Sequence, residues 1–193
     1  MSTIALFREF HQGFPQRAVA FFDTLSDEYM RTRPQPMVNS VAWLIWHMAR
    51  VEDAGINRLV ANRPQVLDEG NWCERMHMPL RHHGTRMTSE EVTDLSNRIN
   101  LSALRAYHAA VRARSLEIVE SVQPEQLEES NDEDYLRQVL YDEGMLNPNY
   151  DWGGRVIYQG SKDNLLIHFG VTHNYGHFYE AFTVCSLMGV PFW

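Results

Sequence analysis

The stretch from Lys162 to Met188 sets the tightest limit on how this chain can fold. His173 and His177 stand four residues apart, so on a helix their side chains share one face, one turn apart. Glu180 follows three residues after His177 and joins that stripe. The rest of the stripe is apolar: Leu166, Phe169, Ala181, Val184 and Met188. Titratable groups that face a core need partners, because burying them alone costs free energy. A metal ion is one partner that two imidazoles can share. A pair at this spacing also arises by chance in a chain with 9 histidines, so its meaning depends on a third ligand elsewhere.

His47 offers one. A helix is expected from an N-cap at Asn39 or Ser40 to about Val60, with Pro64 closing it. The face that carries His47 also carries Ser40, Trp43, Leu44, Val51 and Ala54, and is apolar apart from the imidazole. Taken alone, His47 reads as a core histidine bonded to a backbone carbonyl. Three histidines facing inward on two long helices weaken that reading.

The remaining pattern is helical as well. Apolar positions from Ile4 to Leu25 recur at three and four, with a kink or break expected near Phe14, between Gly13 and Pro15. Arg33-Pro34-Gln35-Pro36 reads as an extended linker. Thr88 and Glu91 form a capping box that starts a helix running to about Ser121, in two segments with a shift near Asn100. A short helix is expected over Asp134 to Glu143. Ser161, with Asp163 in the first turn, is the expected N-cap of the last helix, which Gly189 and Pro191 end. Gly170 and Gly176 inside it leave room for close helix contact or space beside a metal. Four long helices and no strands imply an all-α fold, a four-helix bundle with long crossover connections and one core over residues 1–193.

Two stretches are irregular. Cys73 and His77 stand four apart and offer a second metal pair if their segment is helical, but Pro79 limits such a helix. His82 and His83 are expected on a solvated loop or at the lip of a pocket. The glycine-rich stretch after Gly144 carries Tyr150, Trp152 and Arg155, which suit a pocket wall, or a loop that packs its own aromatics.

Charge and composition exclude several functions. The net charge is −8 with no basic patch, which argues against nucleic-acid binding and against an anionic membrane surface. No apolar run is long enough to span a bilayer, and the first ten residues lack the pattern of a secretory signal. With only 2 cysteines, a cytoplasmic protein with free thiols is expected. Phe192, Trp193 and the apolar outer faces of the helices suggest a homodimer.

The run Asn39 to Asp53, with Thr172-His173-Asn174-Tyr175-Gly176-His177, resembles the DinB-like (YfiT-like) superfamily of metalloenzymes. The likeness covers most of the chain in length and helix order and is specific in these two stretches. It implies a four-helix bundle binding a divalent metal, zinc, nickel or iron, through His47, His173 and His177. Members include bacillithiol-dependent transferases and mycothiol-dependent maleylpyruvate isomerases. The iron-binding domain of ergothioneine-type sulfoxide synthases is also similar. Their motif places a glutamate two residues after the second histidine, whereas Glu180 here stands three after it, which disfavours that activity. The family's link to DNA damage concerns gene induction and does not disturb the charge argument.

Three neutral imidazoles leave a coordination position open for water or a low-molecular-weight thiol. The expected function is metal-dependent thiol transfer, or a related isomerase or hydrolase reaction, on a small-molecule substrate. The alternative is a metal-binding or stress-response protein without catalysis. Glu180 is a partner of a ligand histidine, a fourth ligand or a proton shuttle, unless it is a surface carboxylate paired with arginine. Trp43, Tyr150, Trp152 and Arg155 are the expected pocket residues. Cys185 falls about 80° from the His177 face and reads as core packing, while Cys73 has no clear place.

Overall fold

The computed structural model describes residues 1–150 and 157–191. Its first rod breaks where glycine and proline meet, into α1 (Thr3–Gln12) and α2 (Phe14–Phe22). After the short α3 (Asp27–Arg31), α4 (Val41–Glu52) begins at Ser40. The Ser40 hydroxyl accepts from Trp43 N at 3.0 Å and pairs with Ser96 Oγ at 2.7 Å, so this cap is fixed inside the protein. The rod continues as a π-helical segment, Asp53–Val60. Two single turns follow, α5 (Val66–Glu69) and α6 (Trp72–Arg75).

α7 (Ser89–Arg98) starts at a complete capping box: Glu91 N donates to Thr88 Oγ1, and Glu91 Oε2 accepts from Thr88 N. The shift at Asn100 is a new cap, whose side chain accepts from Ala103 N and opens α8 (Leu101–Ser121). α9 (Pro124–Leu127) and α10 (Glu133–Arg137) are short, and α10 runs on as a π-helical Gln138–Asp142. The last rod is α11 (Lys162–Ile167), a π-helical His168–Thr172 and α12 (His173–Leu187). Ser161 has the extended backbone of an N-cap, but its hydroxyl bonds Asp163 and the Asn164 side chain, not a helix N–H. No strand occurs among the described residues, and no helix there is long and apolar enough to cross a membrane.

Apolar burial divides into two clusters along the α4 rod. Val41 to Ala49 pack with α2, α7, α8 and the end of α12; Val51 to Val60 pack with Phe7, the end of α8, α10 and α11. Each fully buried large side chain there contributes roughly 1.5–3 kcal/mol. Between the clusters lies a buried polar belt. The Arg50 guanidinium donates to Asp53, Tyr107 OH, Gln65 and the Arg81 carbonyl. Asp53 also accepts from Val66 N and Leu67 N, at 2.8 and 2.9 Å. Buried charges are tolerated when they are paired, as Arg50 and Asp53 are here, although Arg50 Nε has no hydrogen-bond partner among the described residues. The belt ties the 65–83 segment onto α4, one turn from His47.

Candidate metal centre

His47 projects from the middle of α4, and His173 and His177 from the first turns of α12. Their ring centroids lie 5.0 Å (His47–His173), 4.8 Å (His47–His177) and 4.6 Å (His173–His177) apart. One nitrogen from each ring falls in a group spanning no more than 4.8 Å. The Nε2 atoms of His47 and His173 face each other at 3.2 Å. Two nitrogens each about 2.1 Å from a tetrahedral ion stand about 3.4 Å apart, so this spacing suits a shared metal.

Protonation points the same way. Burial, with His177 nearby, lowers His47 to about 4. Burial and the two neighbouring imidazoles hold His173 well below the usual histidine value. Both rings are therefore neutral at pH 7, the form in which imidazole binds a metal. His47 is 4% exposed and the His177 side chain 24%, so one side of the cluster is reachable from solvent.

Groups around the rings fix which nitrogen faces inward. His47 Nδ1 donates to the His83 carbonyl, which leaves Nε2 for the cluster. Glu180 accepts from His177 Nδ1 at 2.7 Å and from Asn39 Nδ2 at 2.9 Å. Burial would raise the Glu180 carboxyl, but these hydrogen bonds outweigh it and hold the group below its usual value. The carboxylate thus pairs with a histidine of the cluster and with an asparagine, not with an arginine. Trp43 stacks on His47 with centroids 4.7 Å apart and planes 14° apart.

Two expectations need correction. His83 is not solvated: it is 2% exposed, with Nε2 3.0 Å from Tyr158 OH and Nδ1 2.9 Å from Thr85 Oγ1. Cys73 and His77 do not form a helical pair, because α6 ends at Arg75 and His77 has a left-handed backbone, φ 56°. Tyr150 packs at the edge of the second apolar cluster. Trp152, Arg155, Phe192 and Trp193 lie outside the described residues. Cys185 is fully buried in the first cluster, and burial pushes its thiol up to about 11.

Sequence reasoning gives His83 and Asn39 other places, a solvated loop or pocket lip and a helix N-cap, and does not bring out the Arg50–Asp53–Tyr107 belt. Charges at Arg50, Glu52 and Asp53, inside an otherwise apolar helix, were the available signal for the belt. For His83 and Asn39, whose partners lie 36 and 141 residues away, no local signal exists.

A family described as the DinB superfamily matches residues 11–141. The matched span contains His47 and ends before His173 and His177. Among solved structures, one described as the conserved protein of locus from Enterococcus faecalis superposes with a TM-score of 0.72. It shares 20% identity, over 98% of this chain and 99% of that one, and so speaks to the fold alone. No curated protein matches the chain.

Proposed function

We propose, since this chain belongs to the DinB superfamily, that His47, His173 and His177 hold one divalent ion, zinc, nickel or iron. We further propose that the centre activates a low-molecular-weight thiol or water against a small electrophile. The observation that carries this reading is the convergence of three inward-facing imidazoles on one point. A divalent ion there supplies an electrophilic position that lets a thiol or water lose its proton near neutral pH.

The chain's own groups do the rest. The His83 carbonyl holds the His47 ring in one orientation, and Trp43 walls its flat side. Glu180, steadied by Asn39, holds the proton on His177 Nδ1. An external nucleophile is favoured over a protein thiol, because Cys185 is buried and burial raises the Cys73 thiol too. In this reading residues 1–193 are one domain of a cytoplasmic homodimer. A light-scattering mass of one chain at micromolar concentration would count against the dimer.

Elemental analysis of the purified protein, followed by a screen of cellular thiols with a small electrophile, tests the function. One divalent ion per chain, lost in His47→Ala and His177→Ala, together with thiol turnover, is the expected result. Metal without turnover would leave the non-catalytic binding reading. Turnover by metal-free protein that vanished in Cys73→Ser or Cys185→Ser would replace the proposal with a protein-thiol mechanism.

A further inference from the structure

His47 owes its orientation to a carbonyl in a stretch without regular structure. Its Nδ1 donates to the His83 carbonyl, and His83 lies between α6 and α7, outside any helix. A loop carbonyl fixes a ring only as firmly as the loop itself is fixed. What holds His83 in place therefore bears on the histidine cluster.

Much of that hold comes from a distant segment. The His83 backbone N–H donates to the Met145 carbonyl at 3.1 Å. Its Nε2 lies 3.0 Å from Tyr158 OH. Its Nδ1 lies 2.9 Å from Thr85 Oγ1 and accepts from Thr85 N at 3.4 Å. A ring nitrogen that accepts carries no proton, so the ring proton sits on Nε2 and is donated to the Tyr158 oxygen. His83 and Tyr158 are both buried, so water does not readily replace this bond.

Tyr158 is held from its other side as well. Its ring stacks on Phe169, with centroids 5.8 Å apart and planes 23° apart. Phe169 is buried in the π-helical His168–Thr172, which leads directly into His173 and α12. Tyr158 thus stands between the two parts that make the cluster. Its hydroxyl reaches the residue that orients His47, and its ring reaches the rod that carries His173 and His177.

We propose that Tyr158 is a positioning residue for the metal centre: its hydroxyl pins the His83 ring, so that the His83 carbonyl keeps His47 Nε2 aimed at the cluster. The inference rests on the reading of His47, His173 and His177 as metal ligands. Tyr158 acts through His83, so its effect is smaller than that of a group bonded directly to a ligand ring.

Cobalt(II) added to chelator-treated protein is the probe, since imidazole sites bind divalent first-row metals and bound cobalt absorbs visible light according to its ligand geometry. Tyr158→Phe keeps the ring on Phe169 and removes only the hydroxyl. It is expected to weaken cobalt by about 3- to 10-fold in competition with a chelator, below the roughly 10- to 100-fold of a direct partner, and to shift the visible bands. Val119→Ala, in the same apolar cluster at the end of α8, lowers stability by packing alone. It should keep the wild-type bands, with an affinity within about a factor of two. His83→Ala keeps the carbonyl and loses both ring contacts. Adding Tyr158→Phe to it should weaken cobalt no further, because the hydroxyl then has no ring to pin.

An additive loss in the double variant would mean that Tyr158 acts by packing, and it overturns the proposal. Wild-type affinity and bands in Tyr158→Phe overturn it, as does an equal loss in Val119→Ala. If His83→Ala does not fold, the contrast between Tyr158→Phe and Val119→Ala decides. A wild-type chain that takes up no cobalt overturns the metal centre itself, and this inference with it, a result that the variants cannot mimic.

Discussion

Glu180 sits among groups that pull its ionisation in opposite directions. Burial favours the neutral acid, and the hydrogen bonds from His177 and Asn39 favour the anion and prevail. As a carboxylate it keeps the His177 proton on Nδ1 and so leaves Nε2 free for the cluster. Glu180→Gln preserves the shape but loses the charge-assisted bond. It should weaken metal binding by about 10- to 100-fold in a competition against a chelator, the usual cost of losing such a partner. An unchanged affinity would make Glu180 a bystander. The same scale shows why the sequence reveals some partners and hides others. His173, His177 and Glu180 declare themselves by spacing within one helix. His83 reads as solvated because it lies between His82 and Gly84 in a polar stretch. Its burial depends on Tyr158, 75 residues later, and on Arg50 holding the Arg81 carbonyl nearby.

At the scale of elements, helix starts were legible and helix phase was not. Ser40, Thr88 and Asn100 cap within three residues of themselves, so local chemistry suffices. The π-helical turns at Asp53–Val60 and His168–Thr172 have no such local signature. Each departs from the regular α repeat and so rephases the side chains beyond it, which sets where α12 points His173 and His177. The two π segments also touch. A Cβ on Gly55 would fall 2.4 Å from the Phe169 ring, and one on Gly170 2.3 Å from the Phe7 ring. Gly170 therefore serves close contact, one of the two roles its position suggested. Gly170→Ala should destabilise by about 1–3 kcal/mol through overpacking. Gly176 is different: a Cβ there meets nothing within 4 Å. Gly176→Ala should stabilise by up to about 1 kcal/mol through helix propensity. Urea denaturation of the two variants checks the contrast, and two shifts of the same sign would refute this account of the glycines.

For the molecule as a whole, the two apolar clusters surround more buried imidazoles and carboxylates than a plain helical core needs, and their protons couple stability to pH. Burial, first among the causes, lowers His47 to about 4 and His108 to about 3, against 6.5 for a free histidine. His83 and His173 are lowered as well, by burial and by neighbouring imidazoles. Below pH 6.5 the unfolded chain takes up protons that these folded sites refuse. Stability therefore stands at its full value above the unfolded pKa and falls as the pH drops toward the folded ones. Glu52 extends the trend to lower pH: burial opposes its ionisation, but His11 and Arg112 bring it from 4.5 to about 2. Asp53, raised by burial, works in the opposite sense and is outnumbered by the lowered groups. Each depressed group adds up to about 1.4 kcal/mol per pH unit within its window. Urea midpoints of chelator-treated protein should therefore decline steadily from pH 7 to pH 4, with the slope beginning near 6.5. His108→Gln, which removes one of these groups, should flatten the decline. A midpoint that stayed level to pH 4, or rose, would mean that the buried imidazoles carry protons in the folded state, contrary to their surroundings.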